Sequence, residues 1–191
     1  LEEIGLDKMP EPGQKLEKPI VDFSTKLEVN DRYLSKTEAL EISGLSETEF
    51  EKLINLTLFI DDLITEETRK IHLNNEDGKV EYALDLERNI MLVDALGTLD
   101  ECRFTFEGIP VSKEIARIYY RKTDWYKEVE EAKKKDRFNW KNYVSTPPKL
   151  PKEIKDLISL IYKAYVNELT GIEWFETPPM KDLLNRLRGL I

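Results

Sequence analysis

Hydrophobic positions fall into a few periodic runs along the chain. In SETEFEKLINLTLFIDDLI, starting at Ser46, Phe50, Leu53, Ile54, Thr57, Ile60 and Ile64 recur at helical spacing, which predicts an amphipathic helix. Ser46 and Glu49 provide S-x-x-E at its start, a pair whose side chains satisfy free N–H groups of the first turn. VSKEIARIYYRKTDWYKEVEEAKKK is helical by the same criterion, with Ile115, Ile118, Tyr119, Tyr126 and Val129 as its apolar side. A further helix is predicted over IKDLISLIYKAYVNEL. Pro151 suits its first position and Gly171 stops it. MKDLLNRLRGLI reads as a short terminal helix.

Two stretches show the period of a strand instead. PIVDFSTKLE sets Ile20, Asp22, Ser24 and Lys26 against Val21, Phe23 and Thr25, as a strand with one polar face would. In DGKVEYALDLERNIMLVDALGTLDECR, from Asp77 to Arg103, two strands flank a polar turn at Leu86 to Asn89. Asp77, Lys79 and Glu81 then share one face, while Val80, Tyr82 and Leu84 take the other. A four-residue loop would place Glu81 directly across from Asp94. GTLDECRF follows as a loop carrying Asp100 and Arg103. LDKMPEPGQKLEKP and RFNWKNYVSTPPKLP are linkers by their prolines. LEEIGL reads as the middle of a helix, so an N-terminal part is expected to be missing. The expected class is α+β, antiparallel strands packed on helices. Residues 1–110 form a central lobe with the hairpin, and residues 111–191 a helical part.

Composition narrows the chemistry. The 191 residues, 40% hydrophobic and 35% charged, are ample for a globular core. The excess of Glu and Lys leans toward a heat-adapted source. Net charge is −9, with no Lys/Arg cluster long enough to track a phosphate backbone, which argues against a nucleic-acid partner. No apolar run approaches the length of a bilayer span, so no membrane partner is expected. Cys102 is the one cysteine, which excludes an internal disulfide and fits a reducing compartment, the cytoplasm. His72 is the one histidine, which disfavours zinc and leaves hard, oxygen-bound ions. Lys113 and Arg117, one turn apart, read as a solvated face. Trp125, Tyr126 and Trp140 read as packing anchors and Cys102 as a small core residue. A homo-oligomer remains open.

The acids of the hairpin raise the functional question. Two carboxylates facing each other across a sheet repel, Asp77 adds to the repulsion, and Lys79 offsets part of it. The face lies either in bulk water at an edge or around a divalent cation. Mg²⁺ is typically held by one or two carboxylates plus substrate phosphates, which makes Glu81 and Asp94 candidate ligands. Lys79 would stabilise negative charge developing on a substrate beside the metal.

D-x-K-x-E, followed by a second strand ending in D-x₅-D-x₂-R, resembles the core motifs of the phosphoribosylaminoimidazole-succinocarboxamide synthase (SAICAR synthetase) family. KPIVDFSTKLEVNDRYLS is similar to the family's segment with K-N-D and H-D-P, SKEIAR to its K-D-x-F-R, and IYKAYVNELTGIEWF to the tail of archaeal-type members. The resemblance implies an ATP-grasp-like α+β fold. It also implies ATP and Mg²⁺ as cofactors, with L-aspartate and carboxyaminoimidazole ribotide as the other substrates. By position, Glu81 and Asp94 match the magnesium ligands. Asp77 and Lys79 match residues lining the imidazole carboxylate site and are the candidate catalytic pair. Arg103 matches the arginine that grips the ribose phosphate, and Asp100 is a helper in its loop. Lys26 matches the lysine of K-N-D, near nucleotide and aspartate, and Asp31 the acid of H-D-P. Two departures stand out. Asn30 takes the place of the histidine, with a spacer one residue shorter, and Ala95 replaces the Glu that bacterial members usually carry. The family's N-terminal lobe, with its phosphate-covering loop and R-N…G-S segment, has no counterpart in these residues. The implied reaction joins aspartate to the ribotide carboxylate with consumption of ATP. Rival readings are a non-catalytic helical interaction module, or another ATP-grasp ligase or small-molecule kinase.

Overall fold

The computed structural model describes residues 8–11, 13–26, 28 and 31–190. The expected helix at LEEIGL and the position of Asn30 lie outside those residues. The chain divides into two compact units, residues 1–62 and 63–191. Among the described residues no helix is long and apolar enough to cross a membrane.

In the first unit the strand expected at PIVDFSTKLE is short: β1 (Phe23–Ser24) pairs antiparallel with β2 (Tyr33–Leu34). Helix α1 (Lys36–Ser43), which hydrophobic spacing did not suggest, starts at a capping box between Ser35 and Glu38 and stops at Gly44. Gly44 has φ of 65°, a left-handed conformation that glycine adopts without a Cβ penalty. Phe23 stacks on Phe50, with ring centroids 4.8 Å apart.

Helix α2 (Glu47–Lys70) begins where S-x-x-E predicts. Glu49 N–H donates to Ser46 Oγ, and Ser46 N–H to Glu49 Oε2 at 2.7 Å. It runs past the last predicted apolar position to Lys70, where His72 takes a φ of 63° and turns the chain toward β3.

The second unit carries three strands in one sheet, in the order β3 (Asn74–Gly78), β6 (Cys102–Phe106), β7 (Ile109–Pro110), all antiparallel. Strands β4 (Tyr82–Leu84) and β5 (Ile90–Leu92) form a separate hairpin. GTLDECRF is thus not wholly a loop. Cys102, Phe104 and Phe106 alternate inward from β6, while Arg103 stays exposed. The expected long helix after Ser112 is two, α3 (Glu114–Arg121) and α4 (Asp124–Lys135). The break comes at Thr123, whose side chain accepts the Tyr126 N–H as a new N-cap; threonine favours that role over a helix interior.

A 3₁₀ turn at Trp140–Tyr143 precedes α5 (Lys152–Thr170) and α6 (Met180–Arg188). Gly171 closes α5 in the left-handed conformation, as expected. Phe104, Leu157, Ile161, Met180, Leu183 and Leu187 are almost wholly inaccessible and join β6, α5 and α6 in one core. Burying apolar surface stabilises by roughly 25 cal/mol per Å², and that seam anchors the sheet that carries the candidate site. Cys102 belongs to the same core, as expected.

Candidate active site

The site is built on the β3–β6 ladder. Asp77 stands opposite Arg103 and Gly78 opposite Cys102. One step further, Lys79 N–H donates to the Glu101 carbonyl at 3.1 Å. Asp77 and Arg103 form an ion pair at 3.3 Å, and Lys79 Nζ lies 3.2 Å from Glu101 Oε2. These are two opposed acid–base pairs, two residues apart along the ladder, and opposite charges across strands support each other. Between them the sheet must pass Cys102 closely. A Cβ on Gly78 would come within 2.9 Å of Cys102 Sγ. The glycine is required by space, not by its backbone angles.

After Gly78 the strand breaks. Residues 79–81 belong to neither sheet, and the chain enters β4 at Tyr82. The expectation of one continuous strand from Asp77 to Leu84 is therefore corrected, and so is its register. Tyr82 pairs with Leu92 and Leu84 with Ile90, and Val93 N–H donates to the Glu81 carbonyl at 3.1 Å. Glu81 thus faces Val93 and not Asp94.

The cause lies in the turn. Arg88 adopts φ of 65°, and Asp85 N–H donates to the Asn89 carbonyl at 3.0 Å. The Asp85 carboxylate accepts the backbone N–H groups of Glu87 and Asn89 and the Asn89 amide. That network closes a loop of three residues rather than four and slides the register by one position. The same hydrogen bonds, the Asn89 side chain foremost, hold the Asp85 carboxyl below its ordinary range.

The slip does not separate the charged groups. Lys79 Nζ is 2.7 Å from Glu81 Oε1 and 3.9 Å from Asp94 Oδ2, besides its contact with Glu101. The Glu81 and Glu101 side chains are 13% and 20% exposed, against 54% for Lys79. Three carboxylates thus surround one ammonium, and the excess of acid favours a second cation. Asp94 Oδ1 also accepts the Ala95 N–H at 2.8 Å. Among the described residues no group of three acidic, histidine or cysteine side chains gathers as a metal cage. Glu81 and Asp94 fit Mg²⁺ instead as a carboxylate pair, the kind of set that phosphate oxygens and water complete.

The sequence reading missed Glu101, which stands two residues before Arg103 with the alternation of β6 already running toward it. Arg103 sits on β6 itself, not in a loop. Asp100 faces elsewhere: its Oδ1 accepts the Tyr162 hydroxyl at 2.8 Å, while Tyr165 donates to the Gly97 carbonyl. Burial first, and the Asp100 carboxylate second, push the Tyr162 hydroxyl far above its ordinary range, so it serves as a donor. Lys26 and Asp31 belong to the first unit, where both are exposed between β1 and β2. Lys113 donates its backbone N–H to the Leu99 carbonyl, and Arg117 pairs with Glu114 on α3.

Residues 5–136 match the family model described as SAICAR synthetase. The chain is 52% identical over 190 residues to an Archaeoglobus fulgidus protein provisionally named a phosphoribosylaminoimidazole-succinocarboxamide synthase, covering all of this chain and 56% of that one. It is 36% identical to the synthase of that name from Thermoplasma acidophilum, over 90% of this chain and 59% of the relative. The chain therefore spans somewhat more than half the length of the relatives it matches. A solved SAICAR synthetase in complex with ADP superposes with a TM-score of 0.59 at 21% identity, over 89% of this chain and 56% of that one. The SAICAR synthetase of Pyrococcus horikoshii OT3 gives 0.58 at 21%, over 89% and 57%. At that identity the likeness concerns the fold, which is the mixed α+β arrangement expected.

Proposed function

This chain belongs to the SAICAR synthetase family, and on that premise we propose that its protein is an ATP-dependent ligase of de novo purine biosynthesis acting in the cytoplasm. It joins L-aspartate to 5-amino-1-(5-phosphoribosyl)imidazole-4-carboxylate and yields the succinocarboxamide, ADP and phosphate. The supporting observation is the Lys79 ammonium held among Glu81, Glu101 and Asp94, within the stretch that the family model matches.

The reaction brings several anions together. The terminal phosphoryl group of ATP passes to the ribotide carboxylate. The aspartate amine then attacks the activated carbonyl carbon, phosphate leaves, and an amide remains. Glu81 and Asp94 would hold Mg²⁺, which when bound screens the phosphates. Lys79 contributes a fixed positive charge beside the carboxylate being activated, a stabilisation that grows as charge develops. Arg103 presents a planar fork suited to the ribose phosphate, and Asp77 keeps that fork aimed from the neighbouring strand. Asp100 supports the loop through Tyr162. Lys26 and Asp31 take their proposed roles, near nucleotide and aspartate, from the family match alone.

The test is a product assay on the full-length protein with ATP, aspartate and the carboxylated ribotide. Succinocarboxamide should form only when all three are present, and Mg-ATP should raise the melting temperature. Neither product nor a thermal shift would leave the helical interaction module as the better reading.

A further inference from the structure

The three acids around Lys79 come from two different places. Glu101 stands across the β3–β6 ladder, with its carbonyl fixed by Lys79 N–H and its own N–H donated to Thr98 Oγ1 at 3.2 Å. The next residue, Cys102, is buried in the core. Glu81 and Asp94 belong instead to the β4–β5 hairpin and its exit. As the side chains lie, Lys79 Nζ is nearest to Glu81 Oε1, at 2.7 Å. A divalent cation on Glu81 and Asp94 would compete with that ammonium for the same oxygens, and two cations repel at such range.

We propose that Glu101 is the positioning residue for Lys79, keeping the ammonium beside the metal ligands and not on them. This rests on the reading of Glu81 and Asp94 as the metal pair. Glu101 is suited to the task because its backbone is tied into the ladder, so its carboxylate stays in place when the hairpin acids turn to the metal. Without it, Lys79 collapses onto Glu81 and blocks the cation.

The experiment uses Mn²⁺ in place of Mg²⁺, with binding read from water-proton relaxation, on the wild type, Glu101→Gln, Lys79→Met and the double variant. Glu101→Gln is expected to weaken Mn²⁺ binding about fivefold where Lys79 is present, and less than about twofold where it is methionine, the non-additivity of side chains in contact. Lys79→Met alone should bind Mn²⁺ at least as tightly as the wild type. Equal losses from Glu101→Gln in both backgrounds would overturn the proposal, because Glu101 would then act on the metal directly. Glu81→Gln checks the underlying reading separately: Mn²⁺ binding unchanged by it removes the metal pair.

A metal-free measurement decides the role of Glu101 even then. The ammonium signal of Lys79 in nitrogen-15 NMR should keep its position in Glu81→Gln, where Glu101 still holds it, and should shift in Glu101→Gln, where the ammonium moves onto Glu81. The reverse pattern would make Glu81 the holder and end the proposal. Thermal melts of each variant establish that it is folded.

Discussion

The Tyr162 hydroxyl donates to Asp100 Oδ1 at 2.8 Å, joining residues 62 positions apart. Tyr165, one turn further along α5, donates to the Gly97 carbonyl. The segment between Asp94 and Arg103 is therefore held by a helix that lies beyond the stretch matched by the family model. Tyr162→Phe should lower stability by about 1 kcal/mol, the net contribution of a typical intramolecular hydrogen bond. Asp100→Asn in the same background should add less than it does alone. Urea midpoints measure both, and strictly additive losses would show that the bond contributes nothing in solution.

Gly78→Ala should cost roughly 1–3 kcal/mol, since the added methyl group must displace the Cys102 sulfur. Cys102→Ala frees that space, so the double variant should be little less stable than Cys102→Ala alone. A Gly78→Ala protein as stable as the wild type would show that the sulfur moves freely within the core.

Asp94→Asn should abolish ligation while changing metal-free stability by less than about 0.5 kcal/mol, as for most exposed surface substitutions. With Glu81 facing Val93, the repulsion expected across the hairpin is replaced by a shared ammonium, so little relief is available. Melting curves without divalent ions, taken beside turnover, test both halves. Near-normal turnover would remove Asp94 from the metal pair.

Arg103→Lys should weaken ribotide binding at least about tenfold and ATP binding much less, because lysine keeps the charge but loses the two-pronged donor. Calorimetric titration with each ligand separates the cases. An equal loss for both would place the ribose phosphate elsewhere.

Much of this was legible in the sequence where the local chemistry was strong. The Ser46–Glu49 box started α2, Gly171 ended α5, and the D-x-K-x-E spacing placed Lys79 beside Glu81. The register was not legible, because it depends on a side-chain network inside the turn. The Asp85 carboxylate accepts the loop N–H groups and Arg88 adopts a left-handed angle, and neither leaves a trace in hydrophobic spacing. Strand β6 did leave a trace, in the alternation of Cys102, Phe104 and Phe106, but its polar neighbours Asp100, Glu101 and Arg103 read as a loop. Glu101 was overlooked for the same reason: its partner is set by pairing with β3, a contact between residues distant in sequence.

The break at residues 79–81 has a mechanical consequence. The β3–β6–β7 sheet and the β4–β5 hairpin share no ladder, and Lys79, at the joint, grips Glu101 on one side and Glu81 on the other. Part of the coupling between the two pieces is thus ionic, and added salt weakens it as the screening length falls from about 8 Å at physiological strength toward about 3 Å at 1 M. The hairpin is therefore expected to open more readily as the ionic strength rises. Raising the ionic strength should quicken amide exchange in Tyr82 to Leu92 while leaving the apolar seam of α5 and α6 as slow as before.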